Sequence, residues 1–314
     1  MSLSESVRTG LLTAGIDPAD AERVVRTALE EDLRYGPDVT TQATVAANIV
    51  ATADVVARQG GVIAGVPVAL AVLDAVGLPP GCVIATRADG CAVEPTARVL
   101  TIEGPLRGLL TAERTLLNLM THLSGIATAT RAWVEAIAGT GAVVRDTRKT
   151  TPGLRQLEKY AVRCGGGSNH RLGLGDAALI KDNHVAAAGG LGPAVSAVRA
   201  AAPAIPLEVE CDTLEQVREA LAAGCHLILL DNMSLPDLRA AVDLARGWPG
   251  VRLEASGGLR LATARAVAET GVDYLAAGAL THSSPALDLA LDLRPSRPNG
   301  PGRPSRSRPA SNPS

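Results

Sequence analysis

The sequence predicts an α/β protein: a (β/α) barrel-like domain, for which fewer than eight strands suffice, preceded by a smaller α+β sandwich domain. Three observations carry this expectation. From Ala142 to Gly278, short apolar runs alternate with helical periods, the signature of parallel βαβ units. Each of those runs ends in an unusual polar or glycine position. Before them, the chain breaks into short β-rich pieces separated by glycine-containing turns, as in a compact sheet.

Taken in order, Asp17-Pro18 supplies an N-cap and a first-turn proline, and Val24, Val25, Ala28 and Leu29 form the apolar stripe of a helix. After EDLRYGPDVTT come ATADVVARQGGVIAG, CVIATRADGCAV and RVLTIEG as strand-bearing pieces, with a helix from Pro67 to Val76 between them. These form a first domain, residues 1–115, joined by 286–293. A long helical stretch from Thr111 to Ile137 follows, with an interruption expected at Ser124-Gly125.

The second domain, 116–285, starts its strands at Ala142–Val144, which leads into Asp146-Thr147-Arg148-Lys149. Thr151 and Pro152 then read as cap and first position of a helix with Leu154, Leu157 and Ala161 on one face. Ala177–Ile180 leads to Lys181, Pro206–Val209 to Glu210 and Leu227–Leu230 to Asp231. Val251–Glu254 leads to Ser256-Gly257-Gly258, and Val272–Ala276 to Gly278. Thr213-Leu-Glu-Gln216 is a capping box, Ser234 caps the next helix, and Leu259–Thr270 forms another. Six strands are legible, as consistent with a barrel short of strands as with a complete one. The stretch 294–314 is Pro, Arg and Ser with nothing to bury and reads as a disordered tail.

Composition excludes several roles. The chain has 314 residues, a formal net charge of −2, no Phe and 2% aromatics. Global attraction to DNA or anionic membranes is therefore not expected, nor is a base-stacking platform. The cysteines Cys82, Cys91, Cys164, Cys211 and Cys225 are scattered and form no CxxC pair, which favours reduced thiols in a cytoplasmic protein. MSLSESVRTG does not read as a secretory signal, and there is no apolar run of the roughly 18 residues that a membrane span needs.

Against that near-neutral background, Arg145 to His184 is a local cationic island. It carries Arg145, Arg148, Lys149, Arg155, Lys159, Arg163, Arg171 and Lys181 with His170 and His184, hinged by a glycine triplet and set between apolar strands. Such a segment suits a pocket for small polyanions. Arg155 reads as solvated helix face, Lys159 and Arg163 stay open, His184 is as well explained as a strand terminator, and His226 reads as structural. In (β/α) barrels, the C-terminal strand ends converge on the face that carries the active site. The rim here would be cationic at Arg148, Lys149, His170, Arg171 and Lys181, and anionic at Glu210 and Asp231. Those two carboxylates suit ribose hydroxyls or Mg²⁺, and the glycine turns suit a phosphate.

RDTRKT, GGGSNHRLGLGDAALIKDNH, EVE, LLDN, EASGGL and GVDYLAAGALTH together resemble the quinolinate phosphoribosyltransferase family. EDLRYGPDVTT, ARQGGVIAG and GLLTAERTLLNLMTHLSGIAT extend the likeness over roughly residues 25–292. The resemblance implies transfer of phosphoribose from 5-phosphoribosyl-1-pyrophosphate to quinolinate with loss of CO₂, with Mg²⁺, in NAD biosynthesis. It implies a cytoplasmic homodimer and no nucleic-acid or membrane partner. Arg148, His170, Arg171 and Lys181 would bind the quinolinate carboxylates, with Thr147 beside them and Arg114 reaching in from the neighbouring subunit. Lys149 would face the pyrophosphate and, with Glu210 and Asp231, carry the chemistry. Ser256, Gly257, Gly258 and Gly278 would hold the 5′-phosphate. One departure is Ala255, where the family more usually has Ser. Homologues linked to molybdenum transport, nicotinate-specific transferases and a phosphometabolite sensor share parts of this pattern.

Overall fold

The computed structural model describes residues 2–78 and 80–294. The expected tail lies, from residue 295 on, outside the described residues. The chain opens with α1 (Glu5–Thr13), which the sequence reading passed over, and α2 (Pro18–Leu33), whose N-cap Asp17 accepts from the Ala19 N–H as its Asp-Pro start requires. Then follow α3 (Val39–Thr44), β1 (Val50–Ala57), β2 (Gly61–Val62), α4 (Val66–Ala75), β3 (Val83–Thr86), β4 (Ala92–Val93) and β5 (Arg98–Pro105). Strands β1, β5 and β3 form an antiparallel sheet. The C-terminal strand β12 (Leu289–Leu293) completes it by pairing with β1.

A single 31-residue helix, α5 (Leu106–Ala136), crosses from this sheet to the second half of the chain. The interruption expected at Ser124-Gly125 is absent. Both residues are fully buried mid-helix, where Ser124 Oγ accepts from the Ala64 N–H at 3.0 Å and donates to the Ala64 carbonyl. A Cβ at Gly125 would lie 2.2 Å from the Pro285 carbonyl oxygen. Glycine therefore serves here as a close-approach point for another segment, and the helix continues through it.

The second half comprises β6 (Val143–Arg145), α6 (Arg155–Cys164), β7 (Ala178–Ile180), α7 (Asp182–Ala188), α8 (Leu191–Ala201) and β8 (Leu207–Cys211). It continues with α9 (Leu214–Ala222), β9 (Leu227–Asp231), α10 (Leu235–Ala245), β10 (Arg252–Ser256), α11 (Leu261–Ala268), β11 (Tyr274–Ala276) and α12 (Ala279–His282). All six expected strands form one parallel sheet, ordered β6-β11-β10-β9-β8-β7. The capping box at Thr213 and the Ser234 cap are both present. The helix expected from Thr151 begins only at Arg155; the Thr151 N–H instead donates to Glu158 Oε2 at 3.0 Å and residues 152–154 turn.

The sheet does not close into a barrel among the described residues. Beside β6, the place of a further strand is taken by the glycine loop, which makes a single parallel bridge between Arg145 and Ser168. The loop is not a hinge: a Cβ at Gly165 would sit 2.5 Å from both the Ala127 carbonyl oxygen and Thr130 Cβ, so its glycines let it lie flat on α5. Strand interiors are apolar (Val209, Ile228, Leu230, Leu253, Leu275), and the sheet's helices close over them into one core continuous with the N-terminal half.

Candidate active site

Strand direction puts the C-terminal ends of β6 to β11 on one side, and there a cavity of about 370 Å³ opens. Thr147, Arg148, Lys149, His170, Arg171, Lys181, Glu210, Asp231 and Ser256 line it, together with Leu179, Leu229, Glu254 and Ala276. Nine of the expected site residues are thus brought together from six separate stretches of chain. A second cavity of about 400 Å³ lies at the opposite strand ends, lined by Val198, Pro203, Leu207, Arg252 and Tyr274 among others. It gathers none of the strand-end series.

The cationic side is held by a buried frame. Asp146, at the end of β6, is fully buried and takes three donors: Lys159 Nζ, the His170 N–H at 2.8 Å and Asn169 Nδ2 at 2.5 Å. Lys159 Nζ also donates to the His170 carbonyl at 2.8 Å. Burial pushes the Asp146 carboxyl up and the Lys159 ammonium down, each opposed by the charge of the other. Lys159, left open by the sequence, therefore pins the loop that carries His170 and Arg171. Arg155 is not free helix surface: its guanidinium donates to Thr150 Oγ1 at 3.0 Å and the Leu172 carbonyl at 3.0 Å, bracing both site loops. Arg163 bonds Asn169 Oδ1 and the carbonyls of Ala14 and Gly15, tying the loop to the α1–α2 turn.

Within the pocket, the two arginines lack partners for part of their donor sets. Arg148 Nε and Arg171 Nε are buried without a hydrogen-bond partner. Burial, and then the neighbouring Arg148 guanidinium, push the Arg171 pKa below its usual value. Two desolvated guanidinium groups facing one cavity, with unused donors, favour an anion between them. Lys149 is exposed at the mouth, its backbone N–H bonded to Thr147 Oγ1 at 3.0 Å and its carbonyl to Thr281 Oγ1 at 2.8 Å. Lys181 pairs with Glu210 across the rim.

His170 lines the cavity and is tied to its own loop. Its Nδ1 accepts the Arg171 N–H at 2.7 Å, so Nδ1 carries a lone pair and the ring hydrogen sits on Nε2. Its Nε2 lies 2.9 Å from Glu208 Oε2 and 3.4 Å from Glu254 Oε1. The ligand atoms of His170, Glu208 and Glu254 lie within 4.8 Å of one another. His184 caps α7 by accepting the Lys181 N–H at 3.0 Å, and exposed His226 lies away from this pocket.

Gly257, Gly258 and Gly278 stand at the turns beside the pocket. Gly257 has φ of 85°, and a Cβ there would meet Asn232 Oδ1 at 2.3 Å and its backbone nitrogen at 2.8 Å. Asn232 itself adopts φ of 53° and donates from Nδ2 to Asp231 Oδ2 at 2.6 Å, which orients that carboxylate. A Cβ at Gly278 would press on Lys149 Cδ at 2.9 Å. Arg114 is exposed on α5 and does not line this pocket.

Sequence reasoning missed Glu254 in the cavity wall and Glu208 behind it. The signal was present in EVE and EASGG: strand alternation turns Glu208 to the side of Glu210, and Glu254 to the side of Ser256.

Comparison with known proteins gives two family matches that meet at Gly125: quinolinate phosphoribosyl transferase, N-terminal domain, over residues 38–124, and its C-terminal domain over 126–292. A nicotinate-nucleotide pyrophosphorylase [carboxylating] of Mycobacterium leprae is 58% identical over 279 residues, covering 87% of this chain and 98% of that protein. A probable nicotinate-nucleotide pyrophosphorylase [carboxylating] of Synechocystis is 47% identical over 241 residues, covering 76% and 81%. Among solved structures, the nicotinate-nucleotide pyrophosphorylase from Francisella tularensis superposes with a TM-score of 0.83 at 39% identity, covering 88% of this chain and 96% of that one.

Proposed function

The chain belongs to the quinolinate phosphoribosyltransferase family, and on that premise we propose how its pocket joins quinolinate to 5-phosphoribosyl-1-pyrophosphate, giving nicotinate mononucleotide, pyrophosphate and CO₂. This is a step of NAD biosynthesis, catalysed by a pentosyltransferase. The observation that carries the reading is that Arg148 and Arg171, each with a buried Nε lacking a hydrogen-bond partner, line one cavity together with Glu210 and Asp231.

Arg148 and Arg171 take the two pyridine carboxylates, with Lys181 and Thr147 beside them. His170 contributes by fixing the Arg171 backbone through Nδ1. Lys149, at the mouth, faces the pyrophosphate and stabilises it as it leaves. Attack of the pyridine nitrogen on the anomeric carbon passes through an oxocarbenium-like state, whose positive charge Glu210 and Asp231 face. Ser256 and the turns at Gly257, Gly258 and Gly278 receive the 5′-phosphate through backbone N–H groups.

After transfer, the ribosylated nitrogen is cationic and accepts electron density as the bond from C2 to its carboxylate breaks. CO₂ departs, the electron pair remains on C2, and one proton replaces it. The protein supplies orientation and charge, without a covalent intermediate.

Mg²⁺ fits the acidic side. Glu210 Oε1 and Asp231 Oδ1 make no hydrogen bond among the described residues, while each carboxylate's other oxygen is anchored by Lys181 or Asn232. These oxygens suit an ion held through its water shell, which would neutralise pyrophosphate charge.

Arg114 serves the pocket of a second copy in a homodimer; its exposure outside its own pocket supports this reading. The cytoplasm is the proposed place of action, supported by five free cysteines and by the lack of a membrane-crossing helix among the described residues.

The test is turnover with quinolinate, 5-phosphoribosyl-1-pyrophosphate and Mg²⁺, followed by release of CO₂ and nicotinate mononucleotide. Turnover of nicotinate but not quinolinate would overturn the substrate assignment. Mixing inactive Arg114→Ala with inactive Arg171→Ala should restore part of the activity, since one of the two mixed sites then keeps both arginines. No recovery after verified subunit exchange counts against a shared site.

A further inference from the structure

Strands β6 and β11 lie side by side, and the loops that leave their C-terminal ends carry different parts of the rim. Among the described residues, the last backbone bond between the two chains runs from the Ala277 N–H to the Arg145 carbonyl at 3.0 Å. Beyond it they part, one toward Thr147, Arg148 and Lys149, the other toward Gly278 and α12. One side chain joins them again. Thr281, 2% exposed on α12, donates from Oγ1 to the Lys149 carbonyl at 2.8 Å, across 132 positions of sequence.

A hydroxyl has one hydrogen, and a helical threonine commonly gives it to a carbonyl of the preceding turn. Here that carbonyl belongs to Gly278, at 3.2 Å, and the contact with Lys149 is the shorter one. Thr281 therefore directs its hydrogen to the neighbouring loop. The Lys149 N–H is held by Thr147 Oγ1 at 3.0 Å, so both backbone polar groups of Lys149 are fixed. Its stem is placed as well. A Cβ at Gly278 would lie 2.9 Å from Lys149 Cδ, so the aliphatic chain packs directly on that turn and a larger residue would push it away. What remains movable is the far end of the exposed Lys149 side chain.

Building on the phosphoribosyl-transfer reading, we propose that Thr281 is a positioning residue for the phosphoribosyl donor. It fixes the separation between Lys149, which faces pyrophosphate, and the Gly278 turn, which receives the 5′-phosphate. Both anionic groups belong to one molecule and are joined through a single ribose, so their supports have to stand at a matching distance. Strand pairing ends at Ala277, and the Thr281 bond restores the link between the two loops beyond that point. As the bond from C1′ to the pyrophosphate oxygen breaks, its electron pair leaves with that oxygen while the pyridine nitrogen bonds to C1′. Lys149 meets the growing charge, and a misplacement of about 1 Å can lower a rate on the order of 10²-fold. Thr281 touches neither substrate in this scheme; it acts through the Lys149 backbone. Quinolinate is gripped independently. The Arg148 carbonyl accepts the Thr150 N–H at 3.0 Å, Arg155 braces Thr150, and Arg171 and Lys181 stand on other loops.

Steady-state kinetics of the full-length protein test this in two backgrounds. Thr281→Val keeps the shape and replaces the hydroxyl by a methyl group. With Lys149 present, it should lower kcat/KM for 5-phosphoribosyl-1-pyrophosphate about tenfold and change KM for quinolinate less than about twofold. Thr281→Ser keeps the hydroxyl and should recover most of that loss. In Lys149→Ala protein, adding Thr281→Val should lower the remaining activity by less than about twofold, because the group it positions is gone. Losses that multiply in the double variant overturn the proposal. So does a Thr281→Val protein with wild-type donor kinetics, or one whose KM rises equally for both substrates. Should Thr281→Val fail to fold, Thr281→Ala removes the same hydroxyl without added bulk and is judged by the same outcomes. Wild type without turnover of quinolinate and 5-phosphoribosyl-1-pyrophosphate instead overturns the reading of the site itself.

Discussion

At the rim, Arg148 and Arg171 line the cavity, each with a buried Nε that has no hydrogen-bond partner, and Lys149 is exposed. One rung lower, Arg145 is bonded to Glu254, stacked on Tyr274 and kept from the pocket. Behind both, Lys159 is sealed against Asp146 and the His170 carbonyl. The same residue types thus do three jobs, separated by a few ångströms of depth. Cations without an acidic partner line the cavity, a cation paired with an acid lies beneath it, and a cation closed into a buried pair holds the loop. Burial and partner count distinguish these roles; residue identity does not.

Breaking the deepest tier should have the largest effect. Asp146→Ala strands the Lys159 ammonium in the interior and removes the acceptor of three donors, so stability should fall by about 3–5 kcal/mol. Thermal and urea unfolding would register it, and an unchanged melting temperature would erase the distinction between tiers. At the rim, Arg171→Ala should fold normally and lose roughly 10²–10³-fold in kcat/KM for quinolinate, with a far smaller change in KM for the phosphoribosyl donor. Equal losses for both substrates would mean that the rim does not divide as described.

The middle tier should show itself through pH. Burial, reinforced by the neighbouring Glu208, holds the Glu254 carboxyl above its usual range in the folded protein, so the unfolded chain releases this proton first as pH rises. Its contribution to stability is complete below the ordinary carboxylate range and is lost as pH rises through the raised folded-state value. Glu254→Gln should flatten that part of the stability profile, and an unaltered profile would place the proton elsewhere. The smallest effect is expected at Arg155, where Arg155→Ala removes two bonds that brace the site loops and should lower stability by about 1 kcal/mol. A substantially larger loss would move Arg155 into the structural tier.

Legibility in the sequence follows the same depth order. Rim residues stood out because each polar side chain directly follows an apolar run, and a strand end has a known place in a parallel sheet. Glu208 and Glu254 were hidden because they sit inside those runs, where a carboxylate reads as noise until the inward face of each strand is traced. Lys159 and Arg155 share a helix whose charges suggest a solvated face. Only their tertiary partners, Asp146 for one and the Leu172 carbonyl for the other, separate them. The six strands were recoverable from alternation, but the loop that replaces a further strand was not, because its glycines signal turns in any context. Ser124-Gly125 misled for a related reason: small residues that weaken an isolated helix also let another segment press against it.

That contact at Gly125 bears on how such a protein can be altered or inherited in parts. The two family matches meet there, about two thirds of the way along α5, so the point where the homology divides falls inside one uninterrupted rod. Cutting the gene at that point would leave each product with part of a helix and a torn apolar face, including Met120 and Leu123 on one side and Ile126 and Ala127 on the other. The halves are therefore not interchangeable cassettes. Chimaeras with a relative should survive when α5 comes whole from one parent together with the Pro285–Ala286 segment that rests on it, and should fail when the crossover splits that rod.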